Sequence, residues 1–307
     1  MLAYTLMAGL LFGLYFTLAG LGLNLVFGVM RIVNLAHGEF LMLGAFLAFA
    51  LFSAFSIGPL AAVPIALASF LLLGLPLYYL LVPRLLASKD PEMLSFILFF
   101  GLSQVIEALT AIAFGTGERS IPSSAIASGL AAVAKTFTGR APEEGPIELA
   151  GQAFPPAWVA TGAVSALSVL AVYLYLYRTR LGYLTRAVMA NREEALSTGI
   201  DVHRVSAIAF GVGTALAAVA GIFAPFMRGS VTPAMGGQFT ITSFAVIVIG
   251  SLGHPLGTVL GGLVYGLSYM LMQNYFSEWA ELLPYLLLIA ILLFRPSGLL
   301  GHRVRHA

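Results

Sequence analysis

Long uncharged apolar stretches dominate the chain, and they recur at lengths that suit a bilayer. A helix rises ~1.5 Å per residue, so crossing a ~30 Å hydrocarbon core takes roughly 20 apolar residues. Residues 60–83, 157–177, 205–227 and 255–277 meet that length without a charge, and residues 93–114 meet it with one, Glu107. Residues 1–30 and 40–57 are apolar with scattered glycines. The run 282–294 is short and borrows interfacial residues such as Trp279, and 239–250 is too short for a straight span. The pattern predicts an all-α polytopic membrane protein with about 8–10 transmembrane helices, forming one transmembrane unit over residues 1–307. The polar interruptions fall in 1–57 and 228–254. Helices broken in this way are tolerated in a membrane only where protein or a cavity covers the loose backbone.

Arginine and lysine in short loops set orientation. Residues 178–204 hold Arg178, Arg180, Arg186, Arg192 and Arg204, which places that loop in the cytoplasm. Tyr173, Tyr175 and Tyr177 precede it as an interfacial belt would. The loop with Arg84 and Lys89 and the tail with Arg295, Arg303 and Arg305 fall on the same side. Residues 115–156 are then an extracytoplasmic loop, rich in Gly, Pro, Ser and Ala, and open to a strand pair or to coil. The first 16 residues lack the basic start of a cleaved signal peptide and read as a retained membrane segment.

Composition narrows the function. The chain is 60% hydrophobic and 9% charged, against about a quarter charged in a typical soluble domain. A net charge of +2 with only two lysines gives no basis for a nucleic-acid partner. Cysteine is absent, which removes disulfides, zinc thiolates and a cysteine nucleophile. No G-x-x-x-x-G-K-[ST], H-E-x-x-H or G-x-S-x-G motif occurs, so no enzyme activity, cofactor or metal is expected.

The densest polar cluster is "RIVNLAHGEF", with Arg31, Asn34, His37 and Glu39 inside an apolar region. Its surroundings echo a later block at constant offset. Phe27, Val29, Ile32, Leu35, His37, Leu43 and Gly44 recur as Phe244, Val246, Ile249, Leu252, His254, Leu260 and Gly261, with Asn34 facing Ser251. Transporters often contain two related halves whose interrupted helices meet near the substrate path. Two readings stand for the cluster. One is a capped turn, with Asn34 as helix N-cap and Arg31 paired to Glu39. The other is a polar path lining, drawn from Asn34, His37, Glu39, Ser251 and His254, with Glu107 as a further mid-span candidate. The order of spans leaves open whether the halves are inverted.

Residues 184–198 read as one amphipathic helix ended by Gly199. Such a helix between spans lies on lipid or docks into a cytosolic partner. Glycines four apart at Gly9/Gly13, Gly257/Gly261 and Gly262/Gly266 permit close helix packing, within one subunit or between two.

"GLGLNLVFGVMRIVNLAHGEFLMLGAF", "RTRLGYLTRAVMANREEALSTGIDVHRV", "VIVIGSLGHPLGTVLGGLVYGL" and "LLFRPSGLLG" together resemble the permeases of branched-chain amino acid ABC importers. The match is nearest to the first of the two permeases such importers pair. The resemblance implies a permease domain in a bacterial or archaeal cytoplasmic (inner) membrane, half of a homo- or heterodimeric pore. It implies two cytosolic ABC ATPases and an extracytoplasmic substrate-binding protein as partners, beside the lipid bilayer. It also places ATPase coupling on Arg186, Asn191, Arg192, Glu193, Glu194, Ala195 and Gly199. Leu196 and the early Gly199 depart from the family's coupling-loop pattern, and His254 stands where relatives carry a small residue. Urea, short amides and other amino acids remain alternative cargoes. An ion-coupled secondary carrier using His37, Glu39 or Glu107, and a passive channel, are the other classes.

Overall fold

The computed structural model describes residues 2–130 and 145–301. The helices run in the order α1 (Leu2–Met30), α2 (His37–Phe55), α3 (Pro59–Leu86), α4 (Pro91–Phe114), α5 (Pro156–Arg178), α6 (Arg180–Ala190), α7 (Arg192–Ser197), α8 (Val202–Arg228), α9 (Gly236–Gly250), α10 (Pro255–Tyr275) and α11 (Leu283–Phe294). Among the described residues nine helical segments are long and apolar enough to cross a membrane. The two runs that looked short are completed by 3-10 turns. Pro233–Met235 extends α9 to an 18-residue segment, and Ser277–Leu282 does the same for α11.

Local chemistry starts the helices. Asp90 accepts the Met93 N–H at 3.1 Å, Thr179 the Gly182 N–H at 2.9 Å, and Asp201 the Arg204 N–H at 3.0 Å. Each satisfies one of the donors a helix N-terminus leaves open. Pro59, Pro91, Pro156 and Pro255 occupy first turns, where the missing N–H is harmless.

Burial divides the helices. The apolar windows of α1 and α8 are 78% and 89% buried, whereas those of α4 and α11 are each 17% buried. α1 and α8 therefore form the protein core, and α4 and α11 turn most of their side chains outward. α1 packs on α10 through small residues. A Cβ at Gly13 would stand 2.9 Å from the Leu263 Cα, and one at Gly262 would strike Thr17. Gly266 meets Gly13 in the same way. Gly9/Gly13 and Gly262/Gly266 thus serve packing inside this chain.

Contacts fix helix directions. Ala19, Gly20 and Asn24 of α1 meet Ser243, Val246 and Ser251 in ascending order, so α9 runs parallel to α1. Thr5 meets Asn274 and Thr17 meets the Val259 carbonyl, so α10 runs antiparallel. Leu35 and Gly38 both meet Thr240, and Glu39 meets Gly236, so α2 opposes α9. The echoed pairs α1–α2 and α9–α10 therefore run in the same sense. They form a direct repeat, not an inverted one.

In the loop 115–156, β1 (Ile147–Leu149) and β2 (Gln152–Phe154) form an antiparallel hairpin with Ile147 opposite Phe154. Ala150 and Gly151 have φ of 48° and 74°, the pattern of a type I′ turn. Phe154 is buried and stacks on Tyr4 at 4.9 Å, which ties the hairpin to the start of α1. Residues 131–144 of that loop lie outside the described residues. The opposite end of the bundle carries Arg31, Arg84 and the arginines of 178–204, and is called here the arginine end.

Candidate functional site

Between α1 and α2 the chain leaves helix at Arg31, in left-handed geometry with φ 57°. Arg31 is exposed and donates to the Met189 carbonyl at 3.4 Å. No ion pair joins it to Glu39. Asn34 is buried, and its Oδ1 accepts the Ala36 N–H at 3.0 Å. That bond closes a turn one step before the helix. The N-cap position of α2 belongs to Ala36 and has no side-chain cap.

The start of α2 is clamped on two sides. His37 is buried and its Nε2 donates to the Ala19 carbonyl on α1 at 2.9 Å. Ser243 of α9 donates to the same carbonyl at 3.3 Å. The Gly38 N–H donates to Thr240 Oγ1 at 2.9 Å, and Thr240 donates to the Leu35 carbonyl at 3.0 Å. Glu39 is 1% exposed, with its Oε2 unpartnered and its carboxyl against Gly236. Glu107 on α4 is half-buried.

The second break, at 251–254, is organised by a residue the sequence reading did not single out. Asn24 is fully buried on α1. Its Nδ2 donates to the Ser251 carbonyl at 3.3 Å, the His254 carbonyl at 3.1 Å and Thr258 Oγ1. Its Oδ1 accepts the Gly253 N–H. Ser251 ends α9 with φ 123°. His254 is exposed, and its Nδ1 caps α10 by accepting the Gly257 N–H at 3.1 Å. The two echoed histidines therefore do different work: one is buried as an interhelix tie, and the other caps a helix at the surface.

At the hairpin end lies a cavity of about 730 Å³ between α1, α8, α9, α10 and the 277–285 segment. Phe12, Trp158, Tyr265 and Tyr269 form an aromatic wall, and Arg228, Gln238 and Glu281 supply polar groups. None of Asn34, His37, Glu39, Glu107, Ser251 or His254 lines it. The available signal for Arg228 was a lone cation at the end of the span 205–227. Glu281 looked like an ordinary loop acid.

At the arginine end, the helix expected over 184–198 is two helices. Asn191 is extended, with φ −154° and ψ 112°, and breaks it. Its Oδ1 accepts the N–H groups of Glu193 and Glu194 at 3.0 and 3.3 Å, and its Nδ2 donates to Glu194 Oε1 at 2.7 Å. Arg186 folds back on α5. Its Nε donates to the Leu176 carbonyl at 3.0 Å and its guanidinium lies 4.5 Å from the Tyr177 ring centre. Ala195 is 4% exposed and faces its own chain, and Arg192 is half-buried with Nη1 unpartnered among the described residues. Glu193, Glu194, Leu196, Ser197 and Gly199 face outward. Among the described residues no group of three His, Asp or Glu is placed to hold a metal ion.

The profile of the family described as "Branched-chain amino acid transport system / permease component" matches residues 5–292. The high-affinity branched-chain amino acid transport system permease protein LivH of Salmonella typhimurium is 25% identical, over 95% of this chain and 93% of its own. BraD of Pseudomonas aeruginosa, another high-affinity branched-chain amino acid permease protein, is 26% identical over 96% of this chain and 94% of its own. LivM of Escherichia coli, the permease protein of a system of the same name, is 26% identical over 93% of this chain and 67% of its own. No solved structure matches the chain. The nine apolar segments and the match from one end of the bundle to the other make this chain a multi-pass member of the family of branched-chain amino acid transport system permease components.

Proposed function

We propose that the chain is one permease subunit of an ATP-driven importer for branched-chain or other small aliphatic amino acids. It forms half of the pore with a second permease, homologous or identical. Two cytosolic ATPases drive it, and an extracytoplasmic binding protein delivers the cargo at the hairpin end. The arginine count assigns the arginine end to the cytoplasm of a bacterial or archaeal inner membrane.

The observation that carries this reading is the α6–α7 element. A pore needs no such pair, yet it projects from the arginine end between two spans. Asn191 caps α7 through the Glu193 and Glu194 N–H groups, and Leu196 stands 51% exposed beside Glu193 and Glu194. An exposed leucine among charges, on a short capped helix, suits insertion into a protein groove better than lying on anionic lipid. In this reading Glu193, Glu194, Leu196 and Gly199 touch the ATPase, while Arg186, Asn191, Arg192 and Ala195 set the pose. Leu196→Cys in this cysteine-free chain should cross-link to the ATPase. Labelling of that cysteine by an impermeant reagent outside intact cells would overturn the assignment.

A further inference from the structure

We propose that the cavity at the hairpin end is a binding site for a zwitterionic α-amino acid. Arg228 and Gln238 take its carboxylate, and Glu281 takes its ammonium group. The inference rests on the importer reading and adds a place on this chain where the cargo is held.

The charge inventory selects the ligand class. The charged side chains lining the cavity are one guanidinium, Arg228, and one carboxylate, Glu281. A simple cation would meet Arg228, and a simple anion would meet Glu281. A zwitterion satisfies both. Arg228 sits in the last turn of α8, where the helix's carbonyl end favours a cation. Its guanidinium is held in place: Nη1 donates to Gln238 Oε1 at 3.3 Å, and the group lies 5.0 Å from the Phe239 ring centre. That hydrogen bond uses one of five N–H donors. The others are free among the described residues, in the planar fork that suits a carboxylate. Glu281 has no hydrogen bond or ion pair among the described residues, so its acceptors are free as well.

The wall selects the side chain. Phe12 meets Trp158 edge-on at 4.9 Å and stacks on Tyr269 at 5.7 Å. Tyr265 continues the panel at 6.5 Å from Tyr269. Met227, Met235 and Met270 line the same space, and thioethers adapt to apolar groups of varied shape. An aliphatic side chain fits such a box, and the rings offer π-faces toward an ammonium group. The volume lies within the roughly 300–1,000 Å³ of small-molecule sites. It exceeds one amino acid, so water accompanies the cargo. Position also matters: α9 and α10 form part of the cavity wall, and α9 ends and α10 begins at the Asn24-bound break. Cargo in the cavity therefore touches the two helices locked at the opposite end.

The test uses the complete importer in membranes. Ser277 lines the cavity and is exposed. Ser277→Cys gives this chain one thiol, read by a gel shift after reaction with polyethylene-glycol maleimide. L-leucine should slow that reaction several-fold. Leucinamide, which lacks the carboxylate, and 4-methylpentanoate, which lacks the ammonium group, should not. Adding Arg228→Gln or Glu281→Gln should abolish protection by leucine. Tyr275→Cys, exposed and outside the cavity lining, should react at one rate throughout. If membranes that accumulate leucine show no protection at Ser277→Cys, the site is refuted while the importer reading stands. If no leucine accumulates, the importer reading fails, and the site is judged on other zwitterions. Protection needing both charges then upholds it, and none across glycine betaine, serine and lysine overturns it.

Discussion

Replacing Asn24 by leucine keeps much of its volume and deletes every bond it makes across the 251–254 break. The Gly253 N–H and the Thr258 hydroxyl lose their partner, while the Ser251 and His254 carbonyls keep the backbone N–H groups of His254 and Thr258. A buried group left unsatisfied costs about 1–3 kcal/mol. Hydrogen bonds between transmembrane helices average about 0.6 and reach about 1.7 kcal/mol in double-mutant cycles. The carbonyls are the smaller part, because each keeps a backbone donor. The Gly253 N–H, with a single donor, dominates. The expected loss is about 2 kcal/mol, enough to change the folded ratio roughly 30-fold. The assay is reversible unfolding in mixed micelles for wild type, Asn24→Leu, Thr258→Val and the double variant. The cycle should return a coupling of about 0.6–1.7 kcal/mol between Asn24 and Thr258. In parallel, Leu252→Cys at the exposed turn should react faster with maleimide once Asn24 is replaced. Unchanged unfolding together with unchanged reactivity would refute the claim that Asn24 holds the break.

Three further outcomes follow from named contacts. A Cβ at Gly236 would overlap the Glu39 carboxyl, so Gly236→Ala should sharply reduce folded protein on size-exclusion chromatography, and Glu39→Ala in the same chain should restore it. Ala195 faces inward and Leu196 outward, so Ala195→Trp should lower folded yield by overpacking, whereas Leu196→Arg should leave yield intact and abolish co-purification of the ATPases. Asn191→Ala removes the cap of α7 at about 1 kcal/mol, and binding-protein-stimulated ATP hydrolysis should fall while the melting of the bundle stays near wild type.

The spans were legible because apolar length is a direct bilayer requirement, and all the long runs became helices. The boundaries of 239–250 and 282–294 were less legible, because the residues that complete them include Gly236 and Gln238 in the first turns of α9 and Glu278 and Glu281 in the turn before α11. Apolarity alone cannot count such residues. Asn191 hid inside a helical pattern for a related reason. Its neighbours keep the period, and only its side-chain bonds to Glu193 and Glu194 show the break. The polar cluster was visible, but its wiring was not. Asn24 stands inside an apolar run, and its partners lie 227–234 residues away. The echo of His37 in His254 was a true match of letters at two helix starts, yet one start is buried against Ala19 and the other is exposed. The cavity was invisible for the same reason: Phe12, Trp158, Arg228 and Glu281 belong to four segments that only tertiary packing brings to one space.

The central claim is that this chain moves cargo only when ATPases drive it. The direct measurement is uptake of labelled L-leucine into vesicles, with the chain reconstituted either alone or with the second permease, the ATPases and the binding protein. Accumulation against a gradient that needs ATP inside the ATPase-bearing compartment, needs every partner and survives an uncoupler is the expected result. Accumulation by the chain alone, driven by a proton or sodium gradient and abolished by the matching ionophore, would contradict it.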